Sequence, residues 1–164
     1  MPASIEIDAS ELDRLDGKLE RMQRQVDGTL KKAMGQSMEL LRADLAKYPS
    51  ETAANTSPGV NGYSWYERGF GTHTVTGLSY PTSEELGRSW NKKVKGSFFG
   101  GSVTGTLRAG ASYGGYVHDP EMQASFHAAR GWPTTEEVAE KNEGKVQGIF
   151  NRAIAGLLRR VGLK

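Results

Sequence analysis

The sequence predicts an α+β fold, in which a long N-terminal helix and a C-terminal amphipathic helix pack on a small antiparallel sheet. Three patterns predict it: a helical apolar stripe over residues 10–48, alternation of polar and apolar residues over 90–111, and a second helical stripe after residue 134. The 164 residues fit one domain. We expect a single domain over 1–164 made of four parts: a strand plus long helix (1–48), an extended arm (49–83), a short helix plus β-hairpin (84–120), and a loop plus C-terminal helix (121–164).

The first long element is a helix from about Ser10 to Tyr48, preceded by a short strand at 4–8. Its apolar residues recur every three or four positions, as on one face of a helix. Asp8 followed by Glu11 predicts a capping box at its start, and Pro49 is expected to end it. Glycines weaken a helix, and Gly28 is a candidate position for a break. Because such a helix exceeds any core this chain could build, we expect it to lie on a sheet, a second helix or another subunit. The stripe consists of Leu12, Leu15, Leu19, Met22, Val26, Leu30, Met34, Met38, Leu41, Leu45 and Tyr48.

Residues 49–83 combine turn-forming glycines, prolines and asparagines with an unusual number of aromatic residues. Loops of this length in compact domains are typically functional or disordered, and flexible linkers are rarely aromatic. We interpret the segment as an arm that becomes ordered on another surface. The alternative is an irregular hairpin, 63–66 against 73–78, packed on the same subunit. The anchors expected between subunits are Tyr63, Trp65, Tyr66 and Phe70.

The second half of the chain predicts four further elements. A short helix begins at Pro81, with a capping box from Thr82 to Glu85. Strands at 90–95 and 102–111 form a hairpin with one buried face, and residues 113–120 are too short and too rich in glycine for a full helix. Residues 121–133 are expected to be irregular. The C-terminal helix starts at Thr134 with Glu137 as the third residue of a capping box, and Asn142 and Gly144 are candidate positions for a kink. The packing node between these elements is expected at Leu86, Trp90, Leu107, Tyr113 and Tyr116.

Composition excludes several classes of protein. The chain has no cysteine, which excludes a disulfide framework and Cys-ligated metal centres. No run of about 18 apolar residues predicts a membrane span, and the first residues lack the pattern of a secretory signal. We therefore expect a soluble protein made in the cytoplasm, with no membrane partner. The hydrophobic fraction of 37% and a mean hydropathy of −0.55 are low for a self-sufficient globule, which favours burial against neighbouring molecules.

No motif predicts catalysis, a metal site or a cofactor. The three histidines, His73, His118 and His127, are too scattered for a helical zinc pair. The pair His118–Asp119 invites interpretation as a general base, but Pro120 follows directly and no nucleophile is placed nearby. We expect His118 to be a surface or capping residue. A small hydrolase is the least favoured function, and we expect no enzymatic activity.

The lysines of the first hairpin strand have two interpretations. Lys93 and Lys95 share one face of the strand, whereas Lys92 lies on the opposite face with Val94. Lysines commonly protect an edge strand from aggregation. The alternative is a surface that contacts DNA phosphates or an acidic partner. Residues 141–164 add six cations against one acid, although a helix dipole also favours cations near a C-terminus.

Four short pieces, taken with the order of elements, resemble one family. They are Tyr48-Pro49 after the long helix, Glu85-Leu86-Gly87-Arg88-Ser89-Trp90 before the hairpin, Ala111-Ser112-Tyr113-Gly114-Gly115-Tyr116-Val117-His118, and Ala129-Arg130-Gly131-Trp132-Pro133. The chain is similar to the small head–tail joining proteins of long-tailed bacteriophages, called neck, tail-completion or minor tail proteins. Where the family usually has an acid after Tyr-Val, this chain has His118.

The resemblance implies a non-enzymatic subunit of a ring, six-fold, at the junction of capsid portal and tail. The implied partners are copies of itself, portal, adaptor or stopper proteins, and a tail tube or terminator protein. DNA passes through the ring without sequence specificity, and Lys93 and Lys95 are the residues expected to face it. The implied location is the neck or tail region of the virion. The alternatives are a tail terminator at the tail end, or a nucleic-acid-binding module that uses the basic strand and the C-terminal tail.

Overall fold

The computed structural model describes residues 9–49, 72–75, 78–81 and 85–162, with side chains from residue 13 onward except in the two short strands before residue 85. Its helices and strands confirm the α+β class. They are, in chain order, α1 (Ala9–Leu45), β1 (Thr72–Val75), β2 (Leu78–Pro81), α2 (Glu85–Arg88), β3 (Asn91–Ser97), β4 (Ser102–Arg108), α3 (Gly114–His118), α4 (Ser125–Ala128) and α5 (Thr135–Arg160).

Helix α1 is continuous over 37 residues, so the break considered at Gly28 does not occur. The helix ends at Leu45 rather than at Tyr48. Pro49 explains this end, because a proline ring clashes with the carbonyl four residues earlier and disfavours helical geometry in the residue before it. The strand at 4–8 and the cap at Asp8 lie outside the described residues.

Strands β3 and β4 form the antiparallel hairpin that was predicted, in a register that pairs Val94 with Gly105. This hairpin packs on α1. Gly105 makes the approach close, because a Cβ there would lie 2.7 Å from the sulfur atoms of both Met34 and Met38. A tight turn over residues 98–101 joins the strands, and Gly101 adopts a φ of 108° in it.

Strands β1 and β2 form a second antiparallel hairpin inside the segment expected to be an extended arm. The pairs join 72–75 to 78–81, whereas the alternative considered above joined 63–66 to 73–78. Residues 63–66 themselves lie outside the described part of the chain. Pro81 ends β2 instead of beginning the short helix, and α2 begins only at Glu85.

The C-terminal half contains more helix than the sequence suggested. Residues 114–118 form the short helix α3 despite their glycines, and one turn, α4, lies within 121–133. The capping box at the start of α5 is confirmed, since the Thr134 hydroxyl accepts from the Glu137 backbone N–H and the Glu137 carboxylate accepts from the Thr134 N–H. Helix α5 continues without interruption past Asn142 and Gly144.

The core lies where the C-terminal end of α1 meets the start of α5. α1 and α5 pack antiparallel, because Asp44 contacts Asn142 near one end of the pair and Thr29 contacts Arg160 near the other. The turns of α1 before Thr29, roughly 30 Å at 1.5 Å per residue, therefore extend past the end of α5. Two clusters, both in contact with Ala109, make up the core: Leu86, Ala111, Val117 and Trp132, and Leu45, Trp90 and Val138.

Candidate functional site

The described residues contain no group of three or more His, Asp or Glu side chains placed to hold a metal ion. The pair His118–Asp119 does not form a general-base arrangement. The Asp119 carboxylate instead accepts hydrogen bonds from the backbone N–H groups of Glu121 and Met122, at 2.9 and 3.2 Å. Asp119 thus fixes the turn that follows α3, and its role is structural.

His118 is a core residue, which corrects the expectation of a surface or capping position. Its side chain is only 1% exposed. The ring lies edge-on to Trp90 and to Trp132, with centroids 5.4 and 5.3 Å away. Nδ1 lies 2.7 Å from the carbonyl oxygen of Pro133, so the neutral ring carries its proton there and donates it. The sequence missed this role because Trp90 and Pro133 are distant along the chain.

Burial lowers the pKa of His118, and the hydrogen bond to Pro133 opposes that shift only in part. The half-buried His127 also has a lowered pKa, first because of burial and then because of the positive charge of Arg130. Both rings lie near Trp132. Uncharged histidines packed among tryptophans stabilise the core at neutral pH but supply no nucleophile or metal-binding cluster.

The structure divides the expected packing node. Leu86 and Trp90 are buried in the core, and Leu107 is half-buried against it. Tyr113 and Tyr116 do not belong to the core, since they are 42% and 56% exposed. Tyr113 is the residue before α3 and Tyr116 is the middle residue of this helix, whose inward face is occupied by Gly114 and Val117 instead.

The aromatic residues expected to anchor neighbouring subunits lie outside the described residues. Nothing in the structure therefore tests them, and their role stays a prediction. They are Tyr63, Trp65, Tyr66 and Phe70.

The lysines of β3 occupy the two faces that the alternation predicts. Lys92 lies on the face towards α1, where its ammonium contacts the Glu39 carboxylate at 2.6 Å. The pKa of the Glu39 carboxylate is lowered to about 2, mainly by its hydrogen bond with Arg42 and then by the one with Lys92. Lys93 and Lys95 are exposed and pair in register with Thr106 and Thr104, so the outer face of the hairpin is polar.

The turn of the hairpin is held against α1 by one carboxylate. Asp27 accepts a hydrogen bond of 2.6 Å from the Ser97 hydroxyl and one of 2.8 Å from the Phe98 backbone N–H. The bond from Ser97 is the main cause of the lowered pKa of Asp27. Phe98 and Phe99 follow in the turn, and both rings are more than half exposed.

Three large apolar side chains are exposed at one end of the structure. Leu15, Leu19 and Met22 are 52%, 47% and 42% exposed on the projecting part of α1. Their spacing of four and three residues predicted the start of an apolar stripe that lies on a sheet, a second helix or another subunit, and the structure leaves this part of the stripe exposed.

No helix in the described part of the chain is long and apolar enough to cross a membrane. Comparisons with known protein families, with curated proteins and with solved structures found no match.

Proposed function

We propose that the chain is a structural virion protein of a tailed bacteriophage: a ring-forming subunit at the head–tail junction, in a neck or tail-completion position, that is needed to join head and tail. It has no enzymatic activity in this proposal. Its partners are copies of itself, the portal or adaptor side of the junction, and the tail tube or terminator side.

The observation that carries the proposal is that large apolar side chains are exposed in greater number than they are buried. Among the side chains described, seven of the size of valine or larger are buried, and eleven large ones are exposed. Exposed apolar groups on this scale are typical of surfaces that other molecules cover. The exposed set is Leu15, Leu19, Met22, Phe98, Phe99, Tyr113, Tyr116, Met122, Phe126, Ile154 and Leu158.

The placement of these residues supports contacts on more than one side. Leu15, Leu19 and Met22 lie on the projecting part of α1, and Phe99 lines a depression together with residues of the same helix. Tyr113 and Tyr116 lie instead around α3, whose Val117 packs in the core cluster beside Tyr48, just after the C-terminal end of α1. A subunit between two layers of a junction needs both kinds of surface.

The exposed lysines on the outer face of the hairpin support the proposal that the ring surrounds DNA. Lys93 and Lys95 are exposed, and no described carboxylate pairs with either one. Cations held in this way attract phosphates without reading sequence.

Disruption of this reading frame in the phage genome that carries it tests the proposal. We expect DNA-filled heads and separate tails by electron microscopy, and joined particles when the intact chain is supplied from a plasmid. Tails of abnormal length with normal heads would favour a tail terminator, and joined, infectious particles would contradict both assignments.

A nucleic-acid-binding module is the second candidate, favoured by the exposed Lys93 and Lys95. A random DNA duplex at low salt should then shift the mobility of the isolated protein, and Lys93→Gln with Lys95→Gln should weaken the shift. If duplex DNA at low salt does not shift the mobility of the protein, this candidate is excluded.

A further inference from the structure

The second half of α5 and the middle of α1 enclose a basic groove, a depression of about 500 Å³. Four cations, Arg24 and Lys32 on α1 and Arg152 and Arg160 on α5, line it, and the described lining residues include no carboxylate. Two residues separated by eight positions lie about 12 Å apart along a helix. The four cations thus form two rows of similar length, one on each wall of the groove.

The floor of the groove is built from small residues. Gly28 and Ala33 of α1 face Ala153 and Gly156 of α5, so both helices present little bulk there. A Cβ added at Gly28 or at Gly156 would meet nothing within 4 Å. Small residues that leave a furrow between two helices allow a third helix to approach closely, as ridges enter grooves.

The carboxylates in the described part of the chain leave three of the four cations of the groove without an ion pair. Lys32 and Arg152 are exposed and form no ion pair with a described carboxylate. Arg160 donates to the Thr29 hydroxyl at 3.3 Å and to the Gly156 carbonyl at 3.2 Å, both of which are neutral. Of the four cations, Arg24 alone forms an ion pair with a described acid, the exposed Glu20 on its own helix. The groove therefore keeps a surplus of positive charge.

The same chain carries a surface of opposite charge and matching length, which we call the acidic face. Glu136, Glu140 and Glu143 recur at steps of four and three residues on the first turns of α5, and all are exposed. A helix dipole accounts for an acid in the first turn but fades beyond it, so it does not account for Glu140 or Glu143. Exposed Ala139 and Gly144 lie beside these acids and leave room for close approach.

The acidic face and the basic groove lie on opposite sides of α5. Glu143 and Arg152 are nine residues apart, which is roughly two and a half turns of a helix and places them about half a turn apart around its axis. One copy cannot bring these two surfaces together. Contacts between unlike surfaces of identical copies run head to tail and produce rings when they close.

We propose that the acidic face of one copy docks as a helix in the basic groove of the next copy. The inference rests on the proposed function in one respect, since a ring needs a repeated head-to-tail contact of this kind. A third helix about 10–12 Å wide fits the furrow between two packed helices, whereas a DNA duplex is too wide to reach its floor. The interface combines charge pairs along both walls with close packing on the glycine and alanine floor.

Sedimentation velocity of the full chain at low and high salt tests this contact. We expect the wild-type chain to associate at low salt as its concentration rises, and to dissociate at high salt. Two charge-reversed variants separate the surfaces: Glu136→Lys with Glu140→Lys and Glu143→Lys, and Lys32→Glu with Arg152→Glu. Each should raise the dissociation constant of self-association about a hundredfold or more, because like charges then face each other.

Mixing gives the decisive outcome. Each reversed variant retains the surface that the other has lost, so an equimolar mixture should associate again. Lys93→Glu with Lys95→Glu changes the net charge by the same amount outside the groove and should leave association within about twofold of wild type. Gly28→Leu with Gly156→Leu fills the floor and keeps every charge, and it should also weaken association.

Several results overturn the inference. These are a wild-type chain that stays monomeric at every concentration at low salt, a mixture that does not associate, or a control that is as damaging as the groove variant. Binding of a DNA duplex to the groove without self-association would instead make it a nucleic-acid site. A strict monomer whose loss still separates heads from tails overturns this contact but leaves the proposed function standing. A chain that self-associates through these surfaces but is not needed for joining supports this contact and overturns the proposed function.

Discussion

At the scale of single residues, backbone geometry decides two glycine positions at the hairpin. Gly96 and Gly101 both have positive φ, 88° and 108°. They differ in their surroundings, because a Cβ at Gly96 would lie 2.1 Å from the Ser102 carbonyl oxygen, whereas one at Gly101 would meet nothing within 4 Å. Position 96 therefore requires glycine both because a Cβ would clash with Ser102 and because its φ is positive, whereas position 101 favours glycine for its φ alone.

Gly96→Ala should accordingly cost more than Gly101→Ala. We expect the first to lower the free energy of unfolding by about 2 kcal/mol or more, through backbone strain and a clash that no side-chain movement relieves. The second should cost about 1–2 kcal/mol from the positive φ alone. Urea denaturation followed by tryptophan fluorescence measures both. Equal losses would show that the close approach to Ser102 has no energetic weight.

His118 should make the stability of the fold depend on pH in the mildly acidic range. Its pKa in the folded chain is lowered from the usual 6.5, so the unfolded chain binds the proton more readily. The stabilisation is complete above about pH 7 and is lost as pH falls below the unfolded pKa towards the folded one. One histidine gives at most about 1.4 kcal/mol per pH unit.

His118→Gln tests this assignment, because glutamine does not titrate. The variant should be less stable than wild type at pH 8, since it loses the fit between two tryptophans, but its free energy of unfolding should change less between pH 7 and pH 5. Denaturation series at several pH values provide the comparison. The pKa of His127 is also lowered, so a smaller dependence of the free energy of unfolding on pH should remain in the variant. An unchanged slope in the variant would remove His118 as a source of the pH dependence.

At the scale of elements, one buried polar contact fixes how α1 and α5 cross. The Asn142 amide, fully buried, donates 2.9 Å hydrogen bonds to the Asp44 carboxylate and to the Val138 carbonyl. The Asp44 carboxylate also forms an ion pair with the Lys47 ammonium at 2.8 Å, and it lies 3.5 Å from the Lys141 ammonium. Its pKa is strongly lowered, first by Lys47 and then by Asn142. The carboxylate is therefore ionised at neutral pH where the two helices meet.

Asn142→Asp should turn this contact into repulsion. Two carboxylates then share a buried site, and we expect a loss of about 3 kcal/mol or more in the free energy of unfolding at pH 7. Protonation of one carboxylate restores a hydrogen bond, so the difference from wild type should shrink at pH 4–5. Asn142→Ala serves as the comparison, with a smaller loss that is nearly independent of pH in that range. A pH-independent deficit in Asn142→Asp would indicate a packing defect instead.

The elements that the sequence predicted well are those whose signal is local. The α5 capping box and the alternation of β3 and β4 are each contained in a short window, and both were predicted. The burial of His118 was not, because Trp90, Trp132 and Pro133 come from separate segments. The early end of α1 follows from local proline sterics and was predictable, whereas the short helix α3 forms on glycines that have no intrinsic helical preference.

Whole-molecule packing explains the uneven distribution of apolar residues. The two core clusters occupy the end where α1, α2 and α5 meet, and α1 continues past the end of α5 with its apolar side chains uncovered. No window of sequence distinguishes a buried leucine from an exposed one on the same stripe, since Leu45 and Leu19 have the same helical spacing. What separates them is the finite length of the partner helix, which is a property of the assembled fold.

Leu15, Leu19 and Met22, the exposed apolar residues of α1, should be needed for joining heads to tails and not for folding. Glutamine has nearly the helix propensity of leucine and methionine, so Leu15→Gln with Leu19→Gln and Met22→Gln should change the free energy of unfolding by no more than about 1 kcal/mol. Leu45→Ala, at a side chain only 2% exposed, should cost about 2–4 kcal/mol. Thermal and urea denaturation of the purified chains provide this contrast.

In phage carrying a disrupted copy of the gene, the same triple variant should fail to restore joined particles although it is folded. A matched control replaces three exposed polar residues of the same helix, Asp13→Gln with Lys18→Gln and Arg21→Gln, and should restore joining. If the triple variant unfolds, the stripe belongs to the core. If it folds and supports joining as well as the control does, the projecting part of α1 does not contact a neighbour, and the apolar surface of the junction must lie elsewhere on the chain.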